Sequence, residues 1–156
     1  MTQYISKGVI QNIESSNRRT DYLYRISLKA FIQNEKGDFL VVKEAGRDWW
    51  DLPGGGMDHG EDIKMALARE LKEEVNLVGD FSYKIIDIDG PTYLKAHDLW
   101  QVRLVFEIKP EIMEFSAGDD GDEIAFMNET QFGDSKSQTG RSVSEYFKQL
   151  IDKIKN

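Results

Sequence analysis

Two hydrophobic periods run along this chain. Residues 24–33 (YRISLKAFIQ) and 39–43 (FLVVK) carry apolar, β-branched and aromatic residues in strand-like runs. The turn-forming stretch Asn34-Glu35-Lys36-Gly37 between them predicts an antiparallel pair. Residues 81–89 (FSYKIIDID), 99–108 (LWQVRLVFEI) and 123–127 (EIAFM) are rich in strand-favouring types and predict three more strands. The irregular alternation over 3–13 reads as a further edge strand. The helical period appears twice, over 59–75 and 142–154. In the second stretch Val143, Phe147, Leu150, Ile151 and Ile154 fall at helical spacing, which predicts an amphipathic helix packed on a sheet. Residues 112–122 (IMEFSAGDDGD) and 128–140 (NETQFGDSKSQTG) are polar and contain glycine, as surface loops do.

The first helix carries more than a packing pattern. Asp58 followed by Glu61 matches a capping box, which predicts the helix start there. Asn76, a residue tolerated in the left-handed conformation that ends many helices, marks its close. Ile63, Leu67, Leu71 and Val75 build an apolar stripe, and Glu70, Glu73 and Glu74 share the adjacent arc with Glu74 at the stripe's margin. Taken alone, an acidic helix face is most often a solvated one. Like charges three and four residues apart nevertheless cost about 0.2–0.5 kcal/mol per pair. Only Arg69 and Lys72 lie nearby to offset them, and a bound divalent cation would relieve the repulsion. Immediately upstream, Leu52-Pro53-Gly54-Gly55-Gly56 reads either as a flexible loop or as backbone free to approach a ligand closely. Its place before a helix N-terminus favours a nearby anion or its metal.

Composition narrows the class. A chain of 156 residues fits a single domain, 1–156, without repeat or linker. There is no cysteine, which excludes disulfides, thiolate metal sites and cysteine nucleophiles. No signal-type or membrane-spanning apolar run occurs, so the expected location is the cytoplasm and no membrane partner is expected. The net charge of −8 argues against broad nucleic-acid binding. It leaves room for a phosphorylated small molecule if divalent cations lie between the two sets of negative oxygens.

The run Gly55-x5-Glu61-x7-Arg69-Glu70-Leu71-x-Glu73-Glu74-x-Asn76-Leu77 resembles the Nudix box, the signature of the Nudix hydrolase (MutT-like) superfamily. Asn76 stands where that pattern has glycine, and the preceding Trp50-x-Leu52-Pro53-Gly54-Gly55 also looks like the family. The resemblance implies an α/β fold, an α/β/α sandwich with a central mixed β-sheet. It implies that Glu70, Glu73, Glu74 and the main-chain carbonyl of Gly54 hold Mg²⁺ or Mn²⁺, with Glu61 and Arg69 as a supporting pair. The activity it implies is attack of water on a diphosphate linkage in a nucleoside diphosphate joined to another moiety. The proton would pass to a box glutamate or to a carboxylate from a later loop.

Among Asp119, Asp120, Asp122 and Glu123, either a solvated loop or that later source, Glu123 is the favoured base because it immediately precedes an apolar strand. Trp49, Tyr93 and Trp100 read as core or as stacking surfaces for a nucleobase. His59 and His97 read as structural, and Trp50 as packing on the glycine loop. Members of the family often pair, so a homodimer is an expectation. Two rivals share the fold. Isopentenyl diphosphate isomerase chemistry needs a cysteine that is missing here, and non-catalytic nucleotide-sensing domains usually lose box carboxylates that this chain retains.

Overall fold

Strand and helix periods are both realised in the computed structural model of the chain, which describes residues 24–128, 130–131 and 143–155. In order these form β1 (Tyr24–Phe31), β2 (Phe39–Glu44), α1 (Ile63–Val75), β3 (Phe81–Leu94), β4 (Leu99–Pro110), β5 (Gly121–Met127) and α2 (Val143–Lys155). β4 lies between β1, which it pairs in parallel, and β3, which it pairs antiparallel, while β2 pairs antiparallel with β5. The central sheet is therefore mixed, as expected. The strand alternation of β1 sends Leu28 and Ala30 toward Ala66, Leu67, Leu71 and Val75 of α1, and Phe31 into a second cluster with Val105, Leu52 and Leu150 of α2. One helix thus packs on each face. The predicted strand over 3–13, most of 128–140 and the side chains of Val143 and Phe147 lie outside the described residues. Among the described residues no helix is long and apolar enough to cross a membrane.

The expected hairpin forms only at its turn. β1 and β2 meet through the Gln33–Phe39 bridge and the Leu40 N–H donating to the Ile32 carbonyl at 2.9 Å, and then part. Residues 51–57 run between them. Leu28 and Ala30 donate to the Gly55 and Pro53 carbonyls at 2.8 Å, the Met57 N–H donates to Ile26 at 2.9 Å, and Asp51 exchanges two 2.9 Å bonds with Val42. Buried backbone groups must find partners, and the glycine segment satisfies both open strand edges. Gly54 is obligatory in this role: its φ is +123°, and a Cβ would lie 2.2 Å from the Leu28 carbonyl oxygen.

The start of α1 also differs from expectation. Asp62 is the N-cap, its side chain accepting from the Met65 N–H at 2.8 Å. Asp58 and Glu61 instead close a separate turn, with the Asp58 N–H donating to Glu61 Oε2 at 2.9 Å. Gly60, at φ +89°, keeps that turn out of the helix. At the other end Asn76 adopts the left-handed conformation, φ 51° and ψ 39°. Its Nδ2 donates to Ser116 Oγ at 3.1 Å and to the Ala117 carbonyl at 2.9 Å, bonds that a glycine would not supply.

The loop that Asn76 holds caps the helix. The final carbonyls of Glu73, Glu74 and Val75, which have no partner inside a helix, accept from Asp120, Gly118 and Ser116 at 3.0, 3.0 and 3.2 Å. A Cβ on Gly118 would stand 2.1 Å from the Glu73 carbonyl oxygen. Gly118→Ala should therefore push the loop off the helix end and cost about 1–3 kcal/mol, read as a lower urea midpoint at unchanged slope. An unaltered midpoint would show that the strap carries no stability.

Candidate active site

Alternation along two paired strands assembles the floor of a cavity. Arg25, Ser27 and Lys29 on β1 sit opposite Gln101, Arg103 and Val105 on β4, so their side chains share one sheet face. Farther along that face Phe31 and Val105 enter the apolar core. The polar half instead borders a cavity of about 360 Å³, completed by Gly54, Gly55 and Gly56 and by side chains from α1 and two loops. Arg25, Lys29, Arg47 and Arg103 supply positive charge to its lining; Glu44, Asp51, Glu70, Glu74 and Asp120 supply negative charge.

Two of the three expected box carboxylates reach this cavity. Glu74 is buried at the apolar margin of α1, and its Oε2 accepts from the Gly54 N–H at 2.6 Å. Burial pushes its carboxyl up to about 7, Glu44 and Glu70 add to the rise, and Lys29 and the Gly54 amide oppose it. Glu70 lies against the glycine loop so closely that a Cβ on Gly55 would meet its Oε2 at 2.6 Å. Burial raises Glu70 as well, against the pull of Arg69. Glu73 does not line the cavity. It faces outward on the helix, 41% exposed, with Arg69 Nη1 at 3.3 Å. The reason is angular: Glu70 and Glu74 lie four residues apart on one side, and Glu73 falls off that line.

Arg69 ties the loop to the helix. Its Nε and Nη2 grip both oxygens of Glu61 at 2.7 and 2.9 Å, while Nη2 also reaches the Gly56 carbonyl at 3.0 Å and Nη1 reaches Glu70 at 2.8 Å. This fork-to-carboxylate geometry suits arginine and would not survive lysine.

The Gly54 carbonyl, an expected metal ligand, already has a partner. Lys29 Nζ donates to it at 2.6 Å and to the Leu52 carbonyl at 3.0 Å, and pairs with Asp51 at 3.3 Å. Burial alone would raise Asp51; Lys29 and Arg103 beside it, with the Leu52 N–H, hold it below the usual carboxylate range instead. Among the described residues no three acidic or histidine side chains converge into a closed metal cage. The donor chemistry still fits Mg²⁺ or Mn²⁺. Hard oxygens from Glu70 and Glu74 face one cavity, and Mg²⁺ is commonly held by one or two carboxylates together with water and substrate phosphates.

The remaining candidates are placed elsewhere. Glu123 does not line the cavity: it stands on β5 opposite Lys43, pairs with it at 2.9 Å, and is 59% exposed. Asp120, from the loop strapped to α1, is the later carboxylate that does. Tyr93 and Trp100 lie against each other with tilted rings 5.4 Å apart, but paired residues share a face and Trp100 alternates with Gln101, so both point away from the cavity floor. Trp49 lies under Arg47 at 5.3 Å, and only the arginine reaches the lining. Trp50 packs beside Leu52 with Lys43 over its ring at 5.2 Å. His97, expected to be structural, is a lining residue.

Arg69 holds the Glu61 carboxyl down to about 2 from an ordinary 4.5, the Asp58 amide assisting. A depressed carboxylate stabilises the fold above its unfolded value and loses that contribution as pH falls through its folded one. Urea unfolding from pH 4.5 toward pH 2 should show this decline, and Glu61→Gln should flatten it.

The family pattern described as NUDIX domain matches residues 23–148. An RNA pyrophosphohydrolase of Ruthia magnifica subsp. Calyptogena magnifica is 44% identical over 72 residues, 46% of this chain and 39% of that protein. Nudix hydrolase 5 of Arabidopsis thaliana is 30% identical over 84 residues, 50% of this chain and 26% of that protein. The match thus spans well under half the length of these curated relatives. A MutT protein from Methanosarcina mazei Go1 superposes with TM-score 0.65 at 23% identity, covering 87% of this chain and 99% of that one. A UDP-X diphosphatase gives TM-score 0.68 at 18% identity, with 96% and 71% covered. At such identities these two likenesses speak to fold. The family match runs from the start of β1 into α2 and includes the glycine loop and all of α1, so the chain belongs to the Nudix family.

Proposed function

We propose that this chain is a divalent-cation-dependent pyrophosphohydrolase acting on a nucleoside diphosphate linked to another moiety. The observation that carries this reading is one cavity whose lining holds the buried Glu74, the partly buried Glu70 and two buried cations, Lys29 and Arg103. A polyphosphate needs positive charge on every side. Arg25 and Arg103 on the sheet face would offer charged donors to phosphate oxygens, and Arg103 in particular would be spared competition from water. Glu70 and Glu74 would hold Mg²⁺ or Mn²⁺, which supplies neutralising charge and a more acidic water.

Hydrolysis then requires a group to take the proton. The attacking water's oxygen bonds to phosphorus, the bridging oxygen leaves with the bond's electron pair, and the water's proton passes to a carboxylate. Asp120 fits this role because it lines the cavity from a loop whose backbone is fixed to the end of α1. Arg69 and Glu61 keep Glu70 and the glycine loop in register throughout.

The names of relatives widen the substrates to test: RNA pyrophosphohydrolase, UDP-X diphosphatase and ADP-ribose pyrophosphatase. A screen with Mg²⁺ and Mn²⁺ should therefore include nucleoside triphosphates, ADP-ribose, nucleotide sugars, dinucleoside polyphosphates and an RNA with a 5′-triphosphate. At least one should release a phosphorylated product; inactivity on all of them would remove the proposal. On the active substrate, Asp120→Asn should lower kcat by about 10²-fold or more, the usual worth of a positioned base, while Glu123→Gln leaves it within about threefold. The opposite ranking would return the role to Glu123.

A further inference from the structure

We propose that Lys29 is a resident cation of the glycine loop, occupying the Gly54 carbonyl so that a divalent ion is held by Glu70 and Glu74 without it. This rests on the metal-dependent reading above and deepens it.

Lys29 is 4% exposed, and its three ammonium donors have three oxygens within reach: Gly54 at 2.6 Å, Leu52 at 3.0 Å and Asp51 at 3.3 Å. An ammonium in such an oxygen cradle resembles a coordinated ion. It cannot swing away cheaply, because among the described residues Asp51 would then keep only the more distant Arg103, at 3.9 Å, as a cationic partner. Nor can the carbonyl turn aside. The bonds Ala30 N–H to Pro53 and Leu28 N–H to Gly55 pin the loop on either side of Gly54, where an added Cβ would lie 2.2 Å from the Leu28 carbonyl oxygen.

A divalent ion sharing that carbonyl would sit within a few ångströms of the ammonium, where low polarity strengthens like-charge repulsion. Lys29's charge also reaches Glu70 and Glu74. Its effect is to hold the loop in place before any metal arrives, at some loss of metal affinity.

Mn²⁺ alone serves as the probe. Protein grown with ¹³C-carbonyl glycine is titrated with Mn²⁺, following the free-ion EPR signal for affinity and the ¹³C coupling of the bound ion for carbonyl ligation. Wild type should bind Mn²⁺ with no glycine carbonyl coupling. Lys29→Met should gain that coupling and bind about tenfold tighter or take up one more ion, a shift of the size that neighbouring groups impose on metal sites. Should Lys29→Met fail to fold for want of a partner for Asp51, Lys29→Met with Asp51→Asn removes both charges and answers the same question. Carbonyl coupling already present in wild type, or none in the variant, overturns the inference and leaves the metal site standing. No Mn²⁺ bound by either protein overturns both.

Discussion

Both backbone polar groups of Gly54 are taken by buried charged side chains from different elements: its N–H by Glu74 of α1 and its carbonyl by Lys29 of β1. That residue tolerates no Cβ, because one would lie 2.2 Å from the Leu28 carbonyl oxygen. Helix, loop and sheet are therefore fixed to one another at a single peptide segment, and the cavity wall takes its shape from that junction. Removing Lys29 would also leave Asp51, its ion-pair partner at 3.3 Å, with less compensation, an imbalance of about 3–5 kcal/mol in comparable cases.

Arg69 performs the second tie, between the same loop and the same helix one turn away. It compensates Glu61 and Glu70 together and reaches the Gly56 carbonyl as well. The two ties divide the labour by charge. Arg69 neutralises carboxylates that would otherwise repel along α1, whereas Lys29 and Arg103 bring positive charge into the lining of a cavity in a chain of net charge −8. A phosphate would meet both signs within that cavity, with carboxylates to recruit a cation and cationic side chains to bind oxygen directly. The loop over 116–121, strapped to the last carbonyls of α1, brings Asp120 to the same place through its backbone bonds.

Much of this was legible in the linear sequence where the signal is local. The apolar stripe Leu67, Leu71 and Val75, the left-handed Asn76, the glycine run and the Glu61–Arg69 spacing all express periods and backbone preferences that neighbours along the chain set. The same locality misled at Asp58, where a capping-box spacing matched but Gly60 turned the chain aside and Asp62 took the cap. At Glu123 proximity to a strand does not say which loop carboxylate faces the cavity, and Asp120 is the one in its lining.

The sequence by itself determined the element types, the mixed α/β class and the helix that bears Glu70 and Glu74, because helical and strand periods are properties of consecutive residues. Only the tertiary structure decided that β1 and β2 part beyond their turn, that Arg25, Lys29 and Arg103 line a cavity, and that Glu73 stays outside it. An alternating polar position reads the same whether water or a folded loop covers it. What covers Lys29 is a segment more than twenty residues away, and no local period records its arrival.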